Sequence, residues 1–425
     1  MSVKPSTSSS VLLSEARKAA ENDQIVEAEV KYRNIIQQGS EEAPSNLQDQ
    51  ESSLLELGKI YETHKQAEKL NELLLFSRKV LGNFAKLKTA KIVKVLIECF
   101  DTIEGSKELQ IRITKDSIQW SIDQNLSFLR QSLQFKLASL LFEIELYQDS
   151  LGILNNLLRE YKKLDDKFSL IGVQLLESRV YHSLRNIPKA RSSLTSARTS
   201  ANSVYCPTIL QAELDCQSGI INSEENDYKT AFSYFYESFE GFNTQDDPRA
   251  ALVLKYMLLS KIMVNLVDDI HTLLNNKNII KYQSREIDAM KAIAIAYSNR
   301  SLHEFETALS TYSDELRSDP IIKSNFNALY DNLLEQNLLK IIQTYSCVEL
   351  SHISKTIGLD IQQVEGKLSQ MILDKVFYGV LDQGNGWLII YDEPSKDATY
   401  ESSINLIKNL SNLVDLLYDK ASALN

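Results

Sequence analysis

Three stretches of this chain can be laid over one another: LYQDSLGILNNLL, NIPKARSSLTSA and DYKTAFSYFYESF. Tyr147, Ile187 and Tyr228 then correspond, as do Ser150, Ala190 and Ala231, at offsets of 40 and 41 residues. In each copy one helix ends in polar residues, a second opens on a large apolar residue, and a small residue follows three positions later, where two helices approach closely. A helical pair of this kind cannot cover its own apolar face, so copies must stack on one another. The same phase reaches Ala28 and a region near Ala67 upstream, and Ile270 and Ala308 downstream, on fewer matching residues. With only thirteen glycines and seven prolines in 425 residues, the connections are expected to be short and the helices long. Pro207, Pro248 and Pro320 fall between helical segments, as residues that cannot continue a helix should.

The pattern predicts a mostly α chain: a tetratricopeptide-like solenoid over residues 11–285, whose extended concave surface binds proteins. Residues 1–10 read as a disordered Ser-rich tail. The next segment reads as a helical hairpin joined at Glu21-Asn22-Asp23, with Leu12, Ala16 and Ala19 on one helix and Ile25, Ala28, Tyr32 and Ile35 on the other. The polar stretch Gly39–Ser52, carrying Pro44, reads as a projecting loop. Residues 286–394 form a second region, in which a long amphipathic helix after Pro320, through Phe326, Leu329, Leu333, Leu334, Leu338 and Ile341, leads into the stretch 345–394. Residues 395–425 close the chain as a helix with Ile407, Leu410, Val414, Leu417 and Ala421 in one seam, widened by Leu406, Leu413 and Leu416. These five seam positions are the candidate protein-binding residues.

Within residues 345–394 the helical pattern breaks. Five of the thirteen glycines fall between Gly358 and Gly386. Ser351–Ile357 reads as a short helix stopped at Gly358, where a left-handed cap is needed. Asp360 then caps a second helix that places Ile361, Val364, Leu368, Met371 and Ile372 on one face. Two β-branched, aromatic runs flank Gln383-Gly384-Asn385-Gly386, a hairpin loop. Helix, turn, helix, hairpin is a winged helix. Such modules often read DNA, which needs cations on the second helix. This one offers Lys367 against Glu365 and Asp374, and Arg317 is the last arginine in the chain. The winged helix is therefore expected to pack on proteins and not to bind nucleic acid.

A net charge of −11 and a pI near 5.2 argue against general binding to nucleic acid or anionic membranes. No span reaches the length of an apolar membrane helix and no signal peptide is read at the start, so a soluble intracellular chain is expected. Cys99, Cys206, Cys216 and Cys347 form no C-x-x-C pair, and His64, His182, His271, His303 and His352 share no metal-ligand spacing. Neither a phosphate-cradling G-x-x-x-x-G-K-[ST] nor a G-x-S-x-G nucleophile turn occurs. Gly384-Asn385-Gly386 precedes a strand, and so reads as turn chemistry. Tyr228, Phe232, Tyr234, Phe235, Tyr236 and Phe239 read as a core stripe with an exposed rim. Asp165-Asp166 and Asp268-Asp269 read as solvated helix ends. No enzyme activity, cofactor or metal site is expected.

Helical repeats running into a winged helix and a final helix resemble a PCI-domain protein. LLREYKKLDD, LLESRVYHSLRN, SARTSANSVYCP, DYKTAFSYFYESFEGF and VLKYMLLSKIMVNLVDDI, with ISKTIGLDIQQVEGKLSQMILDKVFYGVLDQGNGWL, narrow the resemblance to a lid subunit of the 26S proteasome regulatory particle in its fungal form. The likeness covers roughly Leu54 to the C-terminus; residues 1–53 match mainly in pattern. It implies a non-catalytic scaffold of the cytoplasm and nucleus in a hetero-oligomer. Its N-terminal solenoid would reach the ATPase ring and the outer ring of the core particle. Its winged helix would sit beside those of other lid PCI subunits, and its last helix would join a bundle of lid helices. The related PCI subunit of the signalosome is the alternative, and a winged-helix nuclear regulator a more distant one.

Overall fold

The structure is a computed structural model that describes residues 9–21, 25–38, 44–80, 86–103, 105–266, 268–274, 276–282, 284–313, 320–392 and 398–422. The expected tail up to Ser8, the joint at Asn22-Asp23 and the side chains of Leu12, Ile25 and Phe326 lie outside what is described. Mostly helical as expected, the chain divides into two compact units, Met1–Asp247 and Pro248–Asn425.

The first unit opens with α1 (Ser9–Glu21) and α2 (Ile25–Gln38), whose Ala16, Ala19, Ala28, Tyr32 and Ile35 are buried. α3 (Pro44–Thr63) corrects the expected loop over Gly39–Ser52: from Pro44 onward that stretch is helix. Proline is well suited to the first helical turn, where its missing N–H has no partner to lose. Its polar residues are also not all solvent-facing, since buried Gln50 donates Nε2 to the Ile36 carbonyl at 3.0 Å. α4 (Ala67–Val80) and α5 (Lys86–Glu98) follow.

From α6 onward the helices start at near-even steps: α6 (Lys107–Asp123), α7 (Ser127–Glu143), α8 (Tyr147–Leu164), α9 (Lys167–Ser183), α10 (Ile187–Asn202), α11 (Thr208–Glu224) and α12 (Tyr228–Asn243). Tyr147, Ile187 and Tyr228, aligned from sequence alone, are each the first residue of a helix. Two residues before most of these starts the backbone enters the left-handed region, at Gly105, Asn125, Glu145, Asp165, Arg185 and Asn226. One such residue reverses the chain and the next caps the new helix. Before α11 Pro207 occupies the cap position instead.

Ser150, Ala190 and Ala231 are fully buried, and hydrogen bonds report the close approach they permit. Ser150 Oγ donates to the Ala138 carbonyl at 2.9 Å, Ser178 Oγ to Ala190 at 2.8 Å, and Ser238 Oγ to Ala212 at 2.8 Å. The core is a succession of clusters, each linking neighbouring helices, as a stacked array requires. Phe235 and Phe239 lie in the core while Tyr236 is exposed, as the aromatic stripe predicted.

The second unit is built on α13 (Arg249–Met263), apolar nearly all round and buried along its length. α14 (Asp268–Leu274), α15 (Lys277–Ile280), α16 (Arg285–Asn299), α17 (Leu302–Thr311) and α18 (Pro320–Ile342) follow, with Leu329, Leu333, Leu334 and Leu338 of α18 buried as expected. Ile342 is buried at its end, with Ile341 only partly so.

The winged helix comprises β1 (Cys347–Glu349), α19 (Leu350–Ile357), α20 (Ile361–Leu373), β2 (Tyr378–Asp382) and β3 (Trp387–Tyr391). β3 lies between β1 and β2, antiparallel to both, with Val348 opposite Leu388 and Val380 opposite Ile389. Gly358 adopts φ 83° at the end of α19 and sends the chain into α20. Val364, Leu368 and Met371 are buried as predicted, but Ile361 is exposed and Ile372 only partly covered. Asp360 occupies the N-cap position without accepting a side-chain bond from the helix. α21 (Ala398–Ser422) completes the described chain.

Candidate interaction surfaces

α21 is exposed from residue 399 to 422. The five predicted seam residues all lie on it: Ile407 is 64% exposed, Leu410 62%, Val414 56% and Leu417 59%, with Ala421 also exposed. Leu406, Leu413, Leu416 and Tyr418 bring the apolar surface round much of the helix. An exposed apolar surface of this kind is a candidate for contact with another protein.

On the winged helix, the single cation of α20 is committed elsewhere. Lys367 Nζ stands 3.2 Å from Glu335 and 3.5 Å from Asp331, both on α18, with its side chain largely buried. This pair fastens α20 to α18 and takes the charge away from the outer face. That outer face carries Gln362, Gly366, Gln370 and the 81%-exposed Leu373. Val380, Trp387 and Tyr391 are exposed on the sheet. At the wing tip the Asp382 carboxylate accepts from the backbone N–H groups of Gly384 and Asn385 at 3.0 and 3.3 Å, closing the turn. The Asn385 side chain and these N–H groups hold its carboxyl below the ordinary range.

The first unit carries a groove of about 650 Å³ across α5, α7, α9 and the start of α11. Its apolar floor includes Phe135, Leu176 and Leu210, and its charges are paired within the unit. Lys136 Nζ meets Asp101 at 2.5 Å, and Arg179 Nη2 meets Glu213 at 3.1 Å. Phe128, Phe168 and Ile209 are each the second residue of α7, α9 and α11, and each is exposed. Sequence reasoning did not single them out, although their 40- and 41-residue spacing is the one that aligned Tyr147, Ile187 and Tyr228. Burial and then the neighbouring Glu62 carboxylate push the Cys99 thiol up to about 12, which leaves it protonated and structural. Among the described residues no group of three His, Cys, Asp or Glu side chains could hold a metal, and no helix is long and apolar enough to cross a membrane.

The RPN6 N-terminal domain of 26S proteasome regulatory subunits matches residues 9–144, the PCI domain 309–392, and the RPN6 C-terminal helix domain 396–422. The 26S proteasome regulatory subunit RPN6 of Saccharomyces cerevisiae is 53% identical over 97% of this chain and 98% of its own length. The chain belongs to the RPN6 family. A probable 26S proteasome regulatory subunit of Schizosaccharomyces pombe is 51% identical over 96% of this chain and 98% of its own. The 26S proteasome non-ATPase regulatory subunit 11 of Dictyostelium discoideum is 48% identical over 90% and 93%. In the family's terms, α1 to α7 belong to the N-terminal domain, the winged helix to the PCI domain, and α21 is a domain in its own right.

Proposed function

We propose that this chain is a non-catalytic scaffold of the proteasome lid that joins lid, ATPase ring and core particle in ubiquitin-dependent protein degradation. RPN6-family membership makes it a structural subunit of the 26S proteasome regulatory particle. Beyond that, α21 is assigned to a bundle with helices of other lid subunits, through Ile407, Leu410, Val414, Leu417 and Ala421. The winged helix is assigned to packing against other PCI subunits, and the first unit to contacts with the ATPase ring and the outer ring of the core particle. Cytoplasm and nucleus are the expected compartments, and neither nucleic acid nor membrane is an expected partner.

One observation carries the reading: a helix matched by its own family domain presents large apolar side chains to water along its length. Burying a leucine or isoleucine stabilises by roughly 1.5–3 kcal/mol, so several along one seam supply the driving force for assembly.

The test is native affinity purification of the tagged chain and of Leu410→Ala/Leu417→Ala, with mass spectrometry of what co-purifies. The parent should bring down lid, ATPase-ring and core subunits, and the variant should lose the lid while its melting temperature stays unchanged. Recovery of cullin-type ligases instead would assign the chain to the signalosome, and intact recovery by the variant would remove α21 from the interface.

A further inference from the structure

The three strands of the winged helix leave one face of their sheet open. Residues directly opposite one another on antiparallel strands point to the same side, and the row Val348, Leu388 and Leu381 turns inward about a fully buried Leu388. The other side is built in rows across β1, β3 and β2. Glu349, Trp387 and Asp382 make the first row, and Cys347, Ile389 and Val380 the second. Tyr391 and Tyr378 stand in the third. Trp387, Val380 and Tyr391 are each exposed over about half their surface. An indole therefore faces water between two carboxylates whose strands lie roughly 10 Å apart. Glu349 is exposed and accepts from Ser351 Oγ at 3.1 Å. The bonds of the wing turn keep Asp382 ionised. No lysine or arginine occurs in residues 345–349 or 378–392, so nothing on the strands or the wing answers these two charges.

We propose that this face receives a basic amphipathic helix of another protein chain, with one arginine or lysine lying on the Trp387 ring between Glu349 and Asp382. The proposal rests on the reading of the winged helix as a module that packs on proteins, and it names what the sheet packs against. An indole draws a cation to its face, and the flanking carboxylates complete the charge. The same pair repels an acidic segment or a nucleic-acid backbone. A partner strand would need a free edge, but β3 is central and has both edges taken. Its apolar face is the kind of surface that a helix covers in layered folds. Spacing agrees with a helix laid along the strands. Rows two residues apart on a strand are about 6.8 Å apart, and side chains four apart on a helix rise about 6 Å. A cation on the first row thus puts an apolar residue four positions later over Ile389 and Val380.

The test uses lid purified from cells that carry the full-length chain with the photo-crosslinker p-benzoylphenylalanine in place of Val380 or, in a parallel preparation, of Gln370 on the outer face of α20. Adducts from position 380 should map to one helical segment of another subunit that carries lysine or arginine. Hydroxyl-radical footprinting read by mass spectrometry should find Trp387 oxidised several-fold more slowly in the lid than in the free chain. Glu349→Arg should lower recovery of the other lid subunits about tenfold, since it sets like charge against the cation, while the free chain keeps its melting temperature. Changing the mapped cation to glutamate in the partner should restore recovery. Adducts that map to a segment without a cation, equal oxidation of Trp387 in both states, or normal assembly with Glu349→Arg would each overturn the proposal. Adducts from position 370 with none from 380 would overturn it while leaving the winged helix a packing module, and adducts from neither would remove both.

Discussion

A methyl group at Gly219 would stand 2.5 Å from the Phe235 ring, closer than side chains tolerate. α11 and α12 therefore meet through a glycine because the ring occupies the space, and Gly219→Ala should destabilise the first unit by about 1–3 kcal/mol. A urea titration followed by circular dichroism measures the shift. Asp227 makes a different kind of contribution. It caps α12, accepting from the Thr230 hydroxyl at 2.5 Å and from its N–H at 3.3 Å, and these bonds hold its carboxyl below the ordinary 3.8. A carboxylate with a lowered folded value contributes stability above its unfolded value and loses it as pH falls through the folded one. Asp227→Ala should thus lower the urea midpoint at neutral pH, and the gap from the parent should close as the pH is taken below 3.8.

Helices are held to one another by commitments of single side chains, and Lys367 is the clearest. Lys367→Ala would leave Glu335 partly buried without its cation and should cost about 1–3 kcal/mol. Trp387 on β3 reports the loss by fluorescence once Trp120→Phe silences the other tryptophan. Much of this level was legible in the sequence, because helix starts follow a local period: large residue first, small residue three later. β1 was not. Three residues are too short a run for an alternation to be read from sequence, and their partner β3 lies forty positions away. α3 was hidden because Pro44 and a polar run look like a loop until Gln50 is seen bonding to α2. The helix α21 was legible, since the spacing of Ile407, Leu410, Val414 and Leu417 is helical and puts them on one face. The exposed row Phe128, Phe168 and Ile209 was legible in principle through the repeat, but an exposed apolar residue announces itself only when its neighbours are placed.

At the scale of the molecule, the scaffold reading assigns separate tasks to separate parts, so they should fail separately. Removing Val11 to Gln38, which takes away most of α1 and all of α2, should leave incorporation into the lid intact while weakening attachment of the lid to the core particle. Native gels at rising salt check this: fully capped particles with ordinary salt resistance would place the attachment elsewhere. The measurement that bears most directly on the central claim is hydrogen–deuterium exchange of residues 398–422, compared between the dilute monomeric chain and the assembled lid. Burial of the seam predicts fast exchange in the monomer and strong protection in the lid, confined in its largest part to the turns carrying Ile407, Leu410, Val414 and Leu417. Equal and rapid exchange in both states would contradict it.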